Sequence, residues 1–420
     1  MRKIIAVKQS SWWLGLIVLV ELLAQTYLPA YGSKDLAAVL YLAAGLAVGL
    51  LPLFSKQLAA VSPASLPKSL AWLLFTLLAA ATTYFGWQAI RAQALDHTFA
   101  DMLPIIKIMG ERWLAGEEVY AIIPEIWDGM QPIYLPVMWL AYVPALVLDF
   151  DMRIMNLIFM LGVALLVLQP WRVQTLASYL LRFLLLLVLF SYIFYAYTTF
   201  ITISEEPVVV AAYACLAFSL RRKKAALFII ALASCLLSRY ALIFWAAAYL
   251  LYELVVGERR EALIKGFGTL LLVLVLLVIS QGIFELELFY SLKDAYLDSF
   301  QNPDLLWRTQ NTVSKNIGIA RFLPFERLLS LHQLMFWGSL VLPFLLFGWY
   351  HFGLRQKGIP LWLFGLCSLK LCLVFFFNFN ALPYSYLFYT STTLSLVLFS
   401  EWILNEKGPS YRKEKAAPRQ

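Results

Sequence analysis

Apolar residues gather along this chain in runs of up to about 20 positions, with short polar stretches between them. A helix of about 20 apolar residues is long enough to cross the ~30 Å hydrocarbon core of a bilayer. The pattern therefore predicts an all-α polytopic membrane protein with about 12 transmembrane helices. The predicted spans are Trp12–Leu28, Leu36–Phe54, Leu70–Ile90, Ile154–Leu168, Leu176–Phe200, Pro207–Leu220, Ala225–Leu237, Ala241–Val256, Leu263–Ile283, Leu334–Tyr350, Ile359–Phe377 and Pro383–Ile403.

Composition supports this prediction, because 62% of the 420 residues are hydrophobic and only 14% are charged. Soluble domains are closer to half apolar and a quarter charged. We therefore expect one transmembrane domain over residues 1–403, surrounded by membrane lipids, followed by a basic cytoplasmic tail over residues 404–420. Nothing in the pattern indicates a nucleic-acid partner.

Basic residues set the predicted orientation, since lysine and arginine concentrate on the cytoplasmic side of membrane proteins. With both termini cytoplasmic, the inner side holds 20 Lys and Arg residues and the outer side 11, whereas 18 of the acidic residues lie outside. The predicted outer loops are residues 91–152 and 284–331. The chain is thus expected in a cytoplasmic (inner) membrane, with an acidic outer face.

One apolar segment, Pro132–Leu148, is not counted as a span. A crossing there would move the basic cluster Arg221-Arg222-Lys223-Lys224 to the outer side, and Pro132, Pro136 and Pro144 disfavour a regular helix. We expect the segment to enter the membrane surface and return to the same face. Irregular backbone at that depth is tolerated where it is buried in protein or lines a cavity.

The first outer loop contains the main candidate for chemistry, Asp101. It precedes a helical stripe of apolar residues that predicts a helix over Met102–Leu114 in the plane of the interface, ended by Gly116. Aspartate at a helix start commonly caps it. Asp101 could therefore be a helix cap, a catalytic carboxylate facing a cavity, or both.

Other charged residues lie at predicted span ends or within spans. Glu205 and Glu206 are at the mouth of one span, and Ser238-Arg239-Tyr240 lies between two short apolar runs, a pattern that often marks half-helices around a site. Lys370 is near the middle of a span and could bind substrate or pair with Glu21. The second outer loop carries four basic residues able to hold phosphate, namely Arg308, Lys315, Arg321 and Arg327.

The order of these features resembles the polyprenyl-phosphate-sugar-dependent mannosyltransferases of C-type fold, glycosyltransferase family 87. The resemblance rests on Asp101 after an outward span, then Gly116-Glu117-Glu118-Val119-Tyr120, then Pro132-Ile133-Tyr134-Leu135-Pro136 and a run ending near Pro144. It covers the chain to about residue 150, and Ser238-Arg239-Tyr240 occupies the place of a basic residue that the family carries further along.

This resemblance implies transfer of a hexose, with mannose as the first candidate, from a polyprenyl-phosphate sugar to a lipid or glycan acceptor at the outer face. Asp101 would be the base, with Asp96 or Glu205 in reserve. Arg239, followed by Arg308, Lys315 and Arg321, would stabilise the leaving phosphate. Tyr120, Tyr134 and Lys370 complete the expected substrate-binding residues. A divalent metal ion could bridge acids and phosphate, but the sequence has no dedicated ligand set, so no metal is predicted.

The alternative prediction is a multi-pass transporter or lipid flippase, which about a dozen spans with scattered charges would also suit. Against it, the two halves of the chain show no repeat, and many transporter folds do. The polar residues also gather at one face instead of the midplane. A non-enzymatic membrane scaffold is the third possibility, and the long acidic outer loop argues against it.

Overall fold

The computed structural model describes residues 9–54, 65–98, 100–126, 129–222, 224–290, 313, 315, 317–381 and 384–405. Arg308 and most of the second outer loop lie outside the described residues, as does nearly all of the predicted tail.

Within this part of the chain the structure is helical and contains no strand, only two isolated β-bridges. The helices are α1 (Gln9–Gln25), α2 (Tyr27–Tyr31), α3 (Lys34–Phe54), α4 (Lys68–Ala92), α5 (Met102–Ala115), α6 (Pro136–Leu140), α7 (Val143–Val147), α8 (Arg153–Leu168), α9 (Leu176–Tyr195), α10 (Thr199–Thr202), α11 (Glu206–Leu220), α12 (Ala225–Leu236), α13 (Ile243–Val256), α14 (Arg259–Ile279), α15 (Leu328–Trp349), α16 (Leu361–Phe379) and α17 (Phe388–Asn405). Short 3₁₀ turns span Tyr240–Leu242, Gly282–Glu285, Ile319–Phe322, Phe325–Arg327 and Ser385–Leu387, and a π-turn spans Tyr350–Leu354.

Seven helical stretches in the described ranges are long and apolar enough to cross a membrane, in agreement with an α-helical membrane protein. They are Lys34–Phe54, Lys68–Ala92, Leu176–Tyr195, Arg259–Ile279, Phe325–Leu354, Leu361–Phe379 and Ser385–Leu404. Six further apolar helical stretches are shorter, 10–17 residues each. The predicted total of about 12 spans and the C-type fold therefore remain predictions.

Hydrogen bonds between loops show which loops lie together at each of the two ends of the helix bundle. At the first, which we call the acidic end, the loop at Gln93 accepts hydrogen bonds from Arg153 and from Thr202, and Gln281 bonds to the carbonyl of Glu117. At the second, the basic end, Leu66 bonds to Gln174. The predicted outer loops meet at the acidic end and the predicted inner loops at the basic end. Which end faces the cytoplasm remains a prediction.

The segment that was not counted as a span forms two five-residue helices, α6 and α7. Its two flanks lie at the same end of the bundle: before it, Gln131 donates to the Tyr120 carbonyl, and after it Arg153 donates to the Gln93 carbonyl. Pro136 is the first residue of α6 and Pro144 the second of α7, and in the first turn of a helix the missing N–H costs nothing. The segment therefore begins and ends at the acidic end of the bundle, and its entry into the membrane surface remains a prediction.

A single buried carboxylate organises the basic end. Glu401 of α17 is fully buried and lies 2.8 Å from Arg221 and 2.9 Å from Arg222, in the α11–α12 turn. Gln169, which follows α8, donates to Glu401 at 2.7 Å. Three separate segments are thus fastened at one point, because a buried charge is retained only where it is paired and hydrogen-bonded.

Candidate functional site

Asp101 stands at the start of α5, and its side chain does not form the helix cap that the sequence allowed as one alternative. The Asp101 carbonyl accepts the N–H of Ile105 at 2.9 Å, but its carboxylate makes no capping hydrogen bond. Capping side chains accept from the second or third helical residue, and the third residue here is Pro104, which has no N–H. The half-buried carboxylate is therefore not used by the helix.

The rest of α5 follows the predicted pattern. Leu103, Ile105, Ile106 and Met109 are buried, and Gly116 ends the helix with a φ of +73°, which favours glycine. Apolar residues at helical spacing thus fix α5 against the protein and set the position of Asp101 at its start.

Two buried glutamates lie in the turn between α10 and α11. Glu205 is 2% exposed and Glu206 is fully buried. Arg239, which follows α12, donates to Glu206 Oε2 and lies 3.5 Å from Glu205 Oε1. Thr390 of α17 donates to Glu206 Oε1 at 2.7 Å. We call Asp101, Glu205, Glu206 and Arg239 the acidic cluster.

Residues of the proline-containing segment before α8 and of α8 itself hold this turn in place. Asn156 donates to the carbonyls of Ile201 at 2.7 Å and Ser204 at 2.9 Å, and accepts from the Tyr142 hydroxyl at 2.6 Å. The N–H of Glu206 donates to Ser204 Oγ at 3.0 Å. Because these bonds are buried, they fix the glutamates where water cannot compete for the same partners.

Two polar atoms of the acidic cluster are buried without a protein partner in the described residues, Glu205 Oε2 and Arg239 Nε. A buried polar atom that lacks a hydrogen bond costs about 1–3 kcal/mol. One is an acceptor and the other a donor, so a hydroxyl-bearing ligand or water can satisfy both. Such a pair is typical of a site that is completed when a ligand binds.

Electrostatic interactions connect Asp101 and Tyr134 with the buried Glu205. Burial raises the pKa of Glu205 to about 7, with Arg239 opposing the rise and the charges of Glu206 and Asp101 adding to it. Burial also raises the pKa of the Tyr134 phenol well above its ordinary value, and Glu205 and Asp101 raise it further. Electrostatic interaction thus links Asp101, Glu205, Arg239 and Tyr134, which the sequence predicted from separate segments.

Arg239 keeps its charge in this setting. Burial alone would lower its pKa, but Glu206 and Glu205 raise it above the ordinary value. The guanidinium is bound to two carboxylates, and the cluster as a whole carries more acidic than basic groups.

Tyr120 supports the strand-like segment that bears Tyr134. The Tyr120 hydroxyl donates to the Tyr134 carbonyl at 3.3 Å, and Trp139 Nε1 donates to the Tyr120 oxygen at 3.3 Å. With only 2% of its surface exposed, Tyr120 acts on the position of Tyr134, and its hydroxyl is engaged by protein partners.

The structure does not bring the remaining predicted residues into the acidic cluster. Asp96 is exposed and accepts the N–H of Thr98 at 2.9 Å, which lowers its pKa. Arg321 pairs with Asp35, and Lys315 lies beside Lys34 in a separate cavity. Arg308 lies outside the described residues.

Lys370 forms the pair that the sequence left open. Its ammonium lies 2.5 Å from Glu21 Oε1 and donates to the carbonyl and hydroxyl of Ser391 at 2.9 and 2.7 Å. All three donors are used, so no donor remains for a substrate. In the structure Lys370 connects α16 to α1 and α17 instead of facing a substrate.

Glu206 and Thr390 belong to the site but were not predicted as site residues. Glu206 stands beside Glu205 and before Pro207, so the sequence contained a signal for it. Thr390 lies far away in the chain within an apolar run, and only the packing of α17 against α11 brings its hydroxyl to Glu206.

In the part of the chain that the structure describes, no three or more His, Cys, Asp or Glu residues are grouped as metal ligands. Comparison of the chain with models of protein families, with curated proteins and with solved structures finds no match.

Proposed function

We propose that this protein is a membrane glycosyltransferase that moves a hexose, mannose in our first choice, from a polyprenyl-phosphate sugar to a lipid or glycan acceptor. The observation that carries the proposal is the carboxylate of Asp101. It is free of capping hydrogen bonds, half-buried, and close enough to act electrostatically on Glu205 and Tyr134. A carboxylate in such a position can accept a proton from a reacting hydroxyl.

In the proposed reaction Asp101 takes the proton of the acceptor hydroxyl as its oxygen bonds to the anomeric carbon of the sugar. The bond between that carbon and the phosphate oxygen breaks, and its electron pair leaves with the lipid phosphate. One displacement of this kind inverts the anomeric centre. No redox partner or second covalent step is needed.

Glu205 is the second candidate for the base. A pKa of about 7 suits proton transfer at neutral pH. However, Glu205 is buried and lies beside Arg239, whereas Asp101 is half-exposed and can meet an acceptor that enters from the surface. We therefore assign Glu205, Glu206 and Arg239 to binding the sugar hydroxyls, with Glu205 Oε2 and Arg239 Nε as the unused acceptor and donor.

The test supplies labelled polyprenyl-phosphate mannose to membranes that contain the wild type, Asp101→Asn or Asp96→Asn. We expect Asp101→Asn to lower transfer by about 10²-fold or more, which is the usual contribution of a general base. Asp96→Asn is the matched control because Asp96 is an exposed aspartate in the same loop. Equal transfer by wild type and Asp101→Asn would remove Asp101 as the base.

A transporter or flippase is the second candidate, and one observation favours it. The Lys370–Glu21 pair is fully buried between helices, and ionisable pairs within membrane helices commonly mark transport pathways. Sealed vesicles that contain the purified protein distinguish the two. Movement of a labelled lipid-phosphate sugar across the bilayer without chemical change favours transport, and formation of a new glycosidic bond favours the enzyme.

A further inference from the structure

A second site at the acidic end is separate from the acidic cluster. It is a cavity of about 170 Å³ between the end of α1, the start of α3, the end of α9 and the turn before α17. Its lining includes Gln25, Lys34, Tyr197, Lys315 and Ser385. We call it the lysine pocket.

The charge of the lysine pocket is positive. Lys34 and Lys315 both line it, and no acidic residue among those that the structure describes does. Neither lysine occurs among the ion pairs of the described residues. Two ammonium groups at one cavity repel each other, and a bound anion removes that repulsion.

Gln25 adds an amide nitrogen without a hydrogen-bond partner among the described residues to the pocket lining. Its side chain is 7% exposed, its Oε1 accepts from Thr392, and its Nε2 has no protein partner in the described part of the chain. A buried amide nitrogen without an acceptor costs about 1–3 kcal/mol. Because Gln25 also lines the pocket, an oxygen-rich ligand would supply the missing acceptor.

The opposite wall combines aromatic faces with hydroxyls. Tyr197 and Tyr389 stack with ring centroids 5.8 Å apart and an angle of 7° between their planes. The hydroxyls of Tyr197 and Ser385 lie 2.9 Å apart, so one proton of that pair can turn toward a ligand. The wall is therefore able to hydrogen-bond an oxyanion and to pack against the atoms attached to it.

We propose that the lysine pocket binds the phosphate of a phosphate ester, with Lys34 and Lys315 supplying charge and Gln25 Nε2 a hydrogen bond. Lysine is a common phosphate ligand and acts as a point charge. A volume of about 170 Å³ is the room taken by about six waters. This accommodates the phosphate and its nearest neighbours, and the remainder of the molecule extends past the exposed Lys315.

The acidic cluster lies close to this pocket but is a poor place for a phosphate. Glu206 acts electrostatically on Tyr197, which lines the pocket. Ser385 of the pocket directly precedes Tyr386, which in turn acts on Arg239. The protein thus keeps its acidic and its cationic groups in adjoining but separate places. The proposal holds whether the protein transfers a bound group or transports it.

The test measures the binding of two probes, inorganic phosphate and dodecyl phosphate, to the purified full chain by calorimetry. We expect the double variant Lys34→Gln/Lys315→Gln to weaken dodecyl phosphate at least tenfold. The matched control Lys68→Gln/Lys107→Gln removes two exposed lysines elsewhere and is expected to bind as the wild type does. Gln25→Glu keeps the acceptor for Thr392 but removes the donor, and should also weaken binding.

If dodecyl phosphate binds more tightly than inorganic phosphate and this binding is lost in the double variant, the ligand is a lipid phosphate. Equal binding of both probes, again lost in the double variant, identifies free phosphate as the ligand. Unchanged binding in the double variant, or an equal loss in the control, overturns the proposal. Neither result depends on sugar transfer, so the pocket can fail while the proposed enzyme activity stands, and the reverse.

Discussion

At the scale of single residues, the same side-chain type has different roles according to its partners. Asp101 and Asp96 are five residues apart, yet Asp96 is exposed in a turn while Asp101 is half-buried and interacts electrostatically with the buried Glu205. Lys370 is completely paired, whereas Lys315 lines a cavity. The sequence predicted Asp101, Glu205 and Arg239 as candidates, but the partners that decide their roles come from distant segments. Thr390 and Lys34 therefore could not be found by local pattern.

The raised pKa of Glu205 predicts how stability depends on pH. In the folded protein Glu205 keeps its proton up to about pH 7, whereas in the unfolded chain it releases the proton near an ordinary pKa of about 4.3. Unfolding thus releases a proton between these values, and stability falls as the pH rises through that window. We expect the melting temperature of the wild type to fall more between about pH 5 and about pH 8 than that of Glu205→Gln.

Thermal unfolding of both proteins in one detergent, at closely spaced pH values, measures this difference. Parallel curves for wild type and Glu205→Gln would contradict the raised pKa.

At the scale of helices, the prediction from sequence was accurate where periodicity and helix ends were clear. The predicted helix Met102–Leu114 is observed as Met102–Ala115, ended at Gly116 as expected. The Pro-rich segment after Gln131 forms two short helices. The sequence left Asp101 open between a helix cap and a catalytic carboxylate, and its side chain makes no capping hydrogen bond in the structure. The arginine contacts of Glu401 were also missed, since they join three segments far apart in sequence.

The contacts of Glu401 predict a large loss of stability in Glu401→Gln. Removal of the charge leaves Arg221 and Arg222 close together without their carboxylate. Breaking a buried ion pair by removal of one partner costs about 3–5 kcal/mol. We expect a clear drop in melting temperature, with Glu258→Gln, an exposed acid that begins α14, close to wild type. A similar melting temperature for both variants would show that the contacts of Glu401 with Arg221 and Arg222 do not stabilise the fold.

At the scale of the whole molecule, hydropathy predicted an all-helical membrane protein, and the described residues agree. The sequence does not determine the number of spans, because the helices α8, α11, α12 and α13 have fewer residues than a typical span. Short helices of this kind cross a bilayer only where neighbours or a thinner membrane accommodate them. Hydropathy measures the length of an apolar run but contains no information about the neighbouring helices.

The predicted orientation is tested by placing single cysteines at the two ends. Glu118→Cys lies at the acidic end and Lys357→Cys in the turn that follows α15, and both positions are exposed. In intact cells we expect an impermeant thiol reagent to label Glu118→Cys and to label Lys357→Cys only after the membrane is opened. The three buried native cysteines give little background, and a variant without Cys215 reduces it further. The reverse pattern would overturn the orientation.

Pro104 has a consequence for the free energy of substrate binding. In many helices an aspartate at the start must give up a backbone hydrogen bond, worth about 0.5–2 kcal/mol, before it can accept one from a ligand. Pro104 offers no such bond, and the Asp101 carboxylate makes none to its own helix. The acceptor hydroxyl would then bind a carboxylate that has no hydrogen bond to its own helix. No part of the binding energy is needed to break such a bond first.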